Sequence, residues 1–107
     1  MKGLSPATWD LVQRMFPAKE QAQAAGLLVD ECGNNLPFME NETEEGLERI
    51  RFAVLKLSRG KMEKLGYWVE YTQLDWRDTL MAAGFGNWLF AHQIWYWLQR
   101  LRHIAFK

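Results

Sequence analysis

Apolar residues recur along most of this chain at three- and four-residue intervals, the spacing that brings them to one side of an α-helix. Trp9, Val12 and Phe16 form the first such set. Ser5-Pro6 supplies its start, because a serine oxygen can accept from an orphan amide and proline has no amide to lose at the first helical position. Pro17 disfavours helical geometry in the residue before it, so this helix is predicted to stop at Phe16. A second, alanine-rich helix runs from Pro17 to Glu31 through Ala22, Ala24, Ala25, Leu27 and Leu28. Its composition favours helix, and Gly33-Asn34 tolerates the left-handed cap that closes it. The stretch Asn34 to Glu42, which carries Pro37, reads as the longest connection, with Phe38 tucked inward.

Two starts compete for the third helix: Asn41 with Glu44 as a capping box, or Thr43 as the cap. Leu47, Ile50, Val54 and Leu57 then trace an apolar stripe, while Glu48, Arg49, Arg51 and Lys56 occupy the other side, and Gly60 supplies the stop. From Lys61 to about Gln73 the period continues through Met62, Leu65, Trp68, Val69 and Thr72. Tyr67, Trp68, Val69 and Tyr71 would also suit a strand, but no second strand is present to pair with it, so helix is favoured. Asp75 caps a short fifth helix whose Trp76, Leu80, Met81 and Ala83 pack inward before Gly84. After the break Gly84-Phe85-Gly86, Asn87 caps a last helix from Trp88 to about Phe106.

At about 100° per residue, His92, Gln93, Gln99, Arg100, His103 and Lys107 of that last helix share roughly one third of its circumference. Phe90, Ala91, Ile94, Trp95, Trp97, Leu98, Leu101, Ile104 and Ala105 fill an arc approaching 200°, whereas a helix lying on one core needs little more than about 100°. Either this helix is the centre that the others wrap, or part of its aromatic surface meets something outside the chain. Phe90, Ile94, Trp95, Trp97, Leu98, Leu101 and Arg100 are accordingly the candidate partner-binding residues, since Trp and Arg are enriched at interaction hot spots.

Composition narrows the classes. The 107 residues are 49% hydrophobic and 24% charged, enough for one core and too few for two, so residues 1–107 read as a single all-α domain of five or six helices. Thirteen bases balance thirteen acids, which gives no overall field to attract nucleic acid. Residues 1–53 hold nine acids and five bases, residues 54–107 four acids and eight bases. In a bundle these halves can interleave and pair. Glu40, Glu42, Glu44, Glu45 and Glu48 form an acidic surface that suits a basic partner, although such runs are usually solvated helix starts.

Catalytic chemistry is thinly represented. Cys32 is the lone cysteine, so no intrachain disulfide exists, and with no secretory signal at the N-terminus a cytoplasmic address is expected. Cys32, His92 and His103 lack zinc-site spacing, and no metal or cofactor is expected. A small enzyme pairing Cys32 with a histidine stays open as an alternative, although a lone cysteine is more often a small buried hydrophobe. Asp75 and Asp78 are explained by capping. The glycines at 84 and 86 lack the rest of any phosphate loop.

The segments Glu31-Cys32-Gly33-Asn34-Asn35-Leu36-Pro37-Phe38, Leu47 to Ser58 and Asp75 to Phe85 resemble uncharacterised small bacterial all-α proteins, over about residues 9–85. The resemblance implies a bacterial cytoplasmic origin and carries no activity or functional residue; from Trp88 onward the chain departs from it. The expected function is therefore a non-enzymatic protein-interaction domain, of an immunity, antidote or adaptor kind, that binds a protein partner or a second copy of itself through the C-terminal helix. A membrane-surface binder ranks lower, because that helix carries few cations.

Overall fold

The computed structural model describes residues 3–33, 36 and 43–105, with side chains as far as Arg102. Its helices follow in the order α1 (Pro6–Met15), α2 (Ala18–Glu31), α3 (Glu44–Ser58), α4 (Met62–Leu74), α5 (Trp76–Ala82) and α6 (Ala91–Ala105). No strand occurs among the described residues, and the fold is all-α. The segment that would also have suited a strand is helical throughout α4, where Gly66 has open space at its absent Cβ.

Local signals set most of the boundaries. The Ser5 hydroxyl accepts from the Thr8 amide at 3.1 Å, and Pro6 occupies the first turn. The α1–α2 corner at Phe16-Pro17 is braced by Gln21, whose side-chain amide donates to the Phe16 carbonyl at 3.0 Å. Thr43 caps α3 by accepting from the Gly46 amide at 2.9 Å; Asn41, the competing start, lies outside the described residues, as do Asn34, Pro37 and Phe38. Arg59 and Gly60 both take positive φ at the end of α3. A Cβ at Gly60 would meet the Met15 carbonyl oxygen at 2.5 Å, so α1 approaches this corner as closely as only glycine allows. The Asp75 carboxylate accepts from the Arg77 and Asp78 amides and starts α5.

The helix that the others wrap is α3, not the C-terminal one. It contacts α1, α4, α5 and α6, and Leu47, Ile50, Phe52, Ala53, Val54 and Leu55 are all buried along it. Burial on every side explains why Phe52, Ala53 and Leu55 point away from the Leu47–Ile50–Val54 stripe and are still core. The polar side assigned to α3 is corrected at Arg51, which is 5% exposed. Its Nε donates to the Cys32 carbonyl at 3.0 Å and one Nη to the Gly3 carbonyl at 2.9 Å. Lys56 donates to the Ala83 carbonyl at 2.7 Å, and Arg49 donates to the Phe85 carbonyl. These cations are therefore not a solvated face. Two of them close the C-terminal ends of α2 and α5, where carbonyls left without helical partners carry partial negative charge. Met81, expected inward on α5, is 56% exposed; α5 is a seven-residue helix that packs chiefly on α3 and α4 and buries Thr79 and Leu80.

Candidate interaction surface

Phe85, in the connection between α5 and α6, is 1% exposed and anchors it. The chain then makes a turn before α6, with the Ala91 amide on the Trp88 carbonyl and the Gln93 and Ile94 amides on that of Phe90. The last helix thus begins at Ala91 and not at Trp88, and Asn87 is an exposed loop residue instead of its cap.

Docking of α6 on α3 reverses the side expected from its polarity. The third of its circumference marked as polar contains His92, which is 3% exposed. Its ring lies edge-on to Phe52 and Phe85, with centroids 5.5 and 6.2 Å apart. Trp95 packs on the same two rings at 6.1 and 6.0 Å, and Tyr96 on Phe52 at 5.5 Å. The Tyr96 hydroxyl donates to Asp10 of α1 at 2.8 Å, the same carboxylate oxygen that accepts from Arg14. Burial opposes ionisation of Asp10, but the bonds from Arg14 and Tyr96 outweigh it and hold the carboxyl below its usual range. The helix is thus held by aromatic rings with polar edges, packed edge-on or tilted against Phe52 and Phe85.

What remains outside is the most apolar side of the helix. Ile94, Trp97, Leu98 and Leu101 are exposed, the last three by 57%, 55% and 58%, and Trp88, Leu89 and Phe90 are exposed in the preceding turn. Of the candidate partner-binding residues, Phe90, Ile94, Trp97, Leu98 and Leu101 share this outer face. Trp95 does not: it is a half-buried core contact. Arg100 flanks the face, its guanidinium 5.0 Å from the Trp97 ring and 5.9 Å from that of Tyr96.

The acidic candidates divide. Glu44 and Glu45 are exposed in the first turn of α3, and Glu48 is half-buried with its pKa raised, chiefly by burial. Glu40 and Glu42 lie outside the described residues. Glu45 lines a cavity of about 240 Å³ together with Thr43, Gly46, Arg49, Leu89, Phe90, His92 and Gln93, which places this acid against the N-terminal end of the α6 face. Sequence reasoning missed a second grouping: Lys56, Arg59, Lys61 and Lys64 line an open groove with Tyr67 and Trp68 at the α3–α4 corner. Only tertiary packing brings the end of α3 beside α4 in this way. Among the described residues Arg14–Asp10 is the ion pair within 4.0 Å.

The groups with reactive chemistry are placed unfavourably for it. Cys32 is fully buried, and burial pushes its thiol up to about 12, which leaves it protonated at neutral pH. Neither ring nitrogen of His92 has a hydrogen-bond partner of normal geometry among the described residues, although the Leu89 carbonyl lies near enough to favour the protonated ring. Burial, aided by the charge of Arg49, lowers the His92 pKa, so the ring is neutral at pH 7. The His103 side chain lies outside those described. Asp75 is engaged as a cap, and Asp78 accepts from the Tyr71 hydroxyl at 3.1 Å. Among the described residues no group of three or more histidines, cysteines or acids is placed to hold a metal, and no helix is long and apolar enough to cross a membrane. No family model, curated protein or solved structure matches the chain.

Proposed function

We propose that this domain acts by binding another protein chain through the outer face of α6, and not by catalysis. One observation carries the reading: Ile94, Trp97, Leu98 and Leu101 are exposed on the outer side of α6, whose other side already supplies its attachment to the core, and Trp88, Leu89 and Phe90 are exposed in the turn that leads into it. Single exposed apolar residues need no explanation, but a patch of this size on a soluble monomer marks an interaction site. Trp97 with Arg100 beside it has the make-up of a hot spot, a large rigid ring next to a planar cation.

The same reading makes the domain an immunity-like or adaptor protein of a bacterial cytoplasm. The acids Glu44 and Glu45 beside the patch suit a partner with a basic rim. Trp97→Glu and Leu101→Lys test it. Both side chains are more than half exposed, so each variant is expected to keep the parent's far-UV circular dichroism and lose its protein partner. Unfolding of both variants would mean that these residues belong to the core, and the reading would fail.

A further inference from the structure

We infer that the occupant of the outer α6 face is α6 of a second copy of this chain, lying antiparallel about a two-fold axis that passes near Trp97. The inference rests on the protein-binding reading above and names its partner. Three features on the surface point to it.

The first is spacing. Phe90, Ile94, Trp97 and Leu101 follow one another at four, three and four residues, the interval at which a helix presents a straight seam of knobs to a helix like itself. Leu98 widens that seam on one flank, while Gln93 and Arg100, roughly 20° apart around the helix, form the other. The second is area. Seven large apolar side chains exposed by 44% to 66% present on the order of 700 Å², close to the ~800 Å² per partner of a standard interface. A second copy supplies a patch of identical length and polarity, as an isologous two-fold contact requires.

The third is charge, and it selects both the partner and its direction. At the N-terminal end of the seam, Glu45 lies with Phe90 and Gln93 around one cavity, and Glu44 is exposed beside it. Arg49, the cation of that cavity, is tied to the Phe85 carbonyl. At the other end Arg100 rests against Trp97, on the same flank as Gln93. Antiparallel pairing lays the Arg100 end of each chain over the Glu45 end of the other and opposes the two helix dipoles. Parallel pairing sets acids against acids and bases against bases. An anionic lipid surface has one sign of charge along its whole length and would repel the Glu44–Glu45 end.

Sedimentation of the purified full chain over a concentration series is expected to give twice the 12.6 kDa chain mass. Leu101→Lys is expected to raise the dimer dissociation constant by at least about 30-fold with helical content unchanged. Direction is read by charge reversal. Glu45→Arg and Arg100→Glu should each weaken the dimer about tenfold, and the two together in one chain should restore it to within about threefold of the parent. A single-chain mass at roughly 100 µM, where even a micromolar dimer is populated, overturns the second copy yet leaves the protein-binding reading to its own test. A dimer indifferent to Leu101→Lys, or charge reversals whose losses add instead of cancelling, overturns the proposed pairing. Binding of a monomeric chain to phosphatidylcholine–phosphatidylglycerol vesicles that Trp97→Glu abolishes overturns both readings.

Discussion

The Arg51 guanidinium sits in the interior on two backbone carbonyls, one at the end of α2 and one at Gly3. Removing it strands at least one buried acceptor, a cost of about 1–3 kcal/mol. Arg51→Leu is accordingly expected to lower the urea midpoint by an amount equivalent to about 2 kcal/mol, with the denaturant slope unchanged. His92 carries a different signature. Its pKa lies below the ordinary 6.5 because the ring is buried and Arg49 is near, so the unfolded chain binds a proton more readily than the folded one. The stabilisation this represents is complete above about pH 6.5 and declines as pH falls through that value toward the lower folded pKa, where the decline ends. His92→Phe keeps a ring between Phe52 and Phe85, and unfolding measured from pH 5 to 7 is expected to show a flatter profile than the parent. Cys32, closed off with its thiol raised to about 12, is expected to react with a thiol reagent at pH 8 only at the rate of unfolding. Labelling as fast as that of a free thiol would show that the α2 end opens locally.

Among the elements, α3 and α6 stand at opposite ends of a stability range. The former is covered on all sides and shares its core with α1, α4 and α5; among the helices α6 lies chiefly on α3, assisted by the Tyr96–Asp10 bond to α1. Local opening free energy follows such differences in burial. Amide exchange in α6 is expected to be faster than in α3 in the monomer. Tyr96→Phe should speed it further by the equivalent of about 1 kcal/mol, the usual worth of one hydrogen bond, with little change in α4. Equal protection in α3 and α6 at low protein concentration would show that the monomer core holds α6 as firmly as its centre. Most boundaries of α1 to α5 were legible in Ser5-Pro6, Pro17, Thr43, Gly60 and Asp75 because caps and breakers act within a few residues; the left-handed cap expected at Gly33 does not form, since Cys32 closes α2 with φ -120° and Gly33 instead lies where a Cβ would meet the Val29 carbonyl oxygen at 2.8 Å. The start of α6 was not. Asn87 has capping chemistry, but the buried Phe85 and the turn at Trp88–Phe90 decide where the helix can begin.

For the molecule as a whole, the outer α6 face is a feature that a lone monomer leaves in water. Charge placed there is expected to raise the solubility of the chain, and in Leu101→Lys to leave the monomer's thermal midpoint within about 2 °C, since an exposed position away from caps and cores contributes within about ±0.5 kcal/mol. A large fall in the midpoint would mean that the face is part of the fold. If the proposed antiparallel pairing forms, Glu44 and Glu45 at one end and Arg100 at the other make it depend on charge, and raising ionic strength is expected to weaken it.

Local rules written into consecutive residues were enough for the all-α class, the order of the helices and the side-chain caps at Ser5, Thr43 and Asp75. They also disclosed that the last helix has more apolar surface than one contact can cover. Which arc of that helix turns inward was beyond them, because hydropathy ranks side chains by type, whereas docking depends on contacts with Phe52 and Phe85, which are distant in sequence. Rings with polar edges, His92, Trp95 and Tyr96, pack on them, and the aliphatic and indole side chains at 94, 97, 98 and 101 are left outside. The same holds for Arg51, which reads as a surface cation along the chain and becomes an interior cap only when α2 ends beside it. Contacts between residues far apart in sequence carry no local periodicity, so only the assembled tertiary structure decides them.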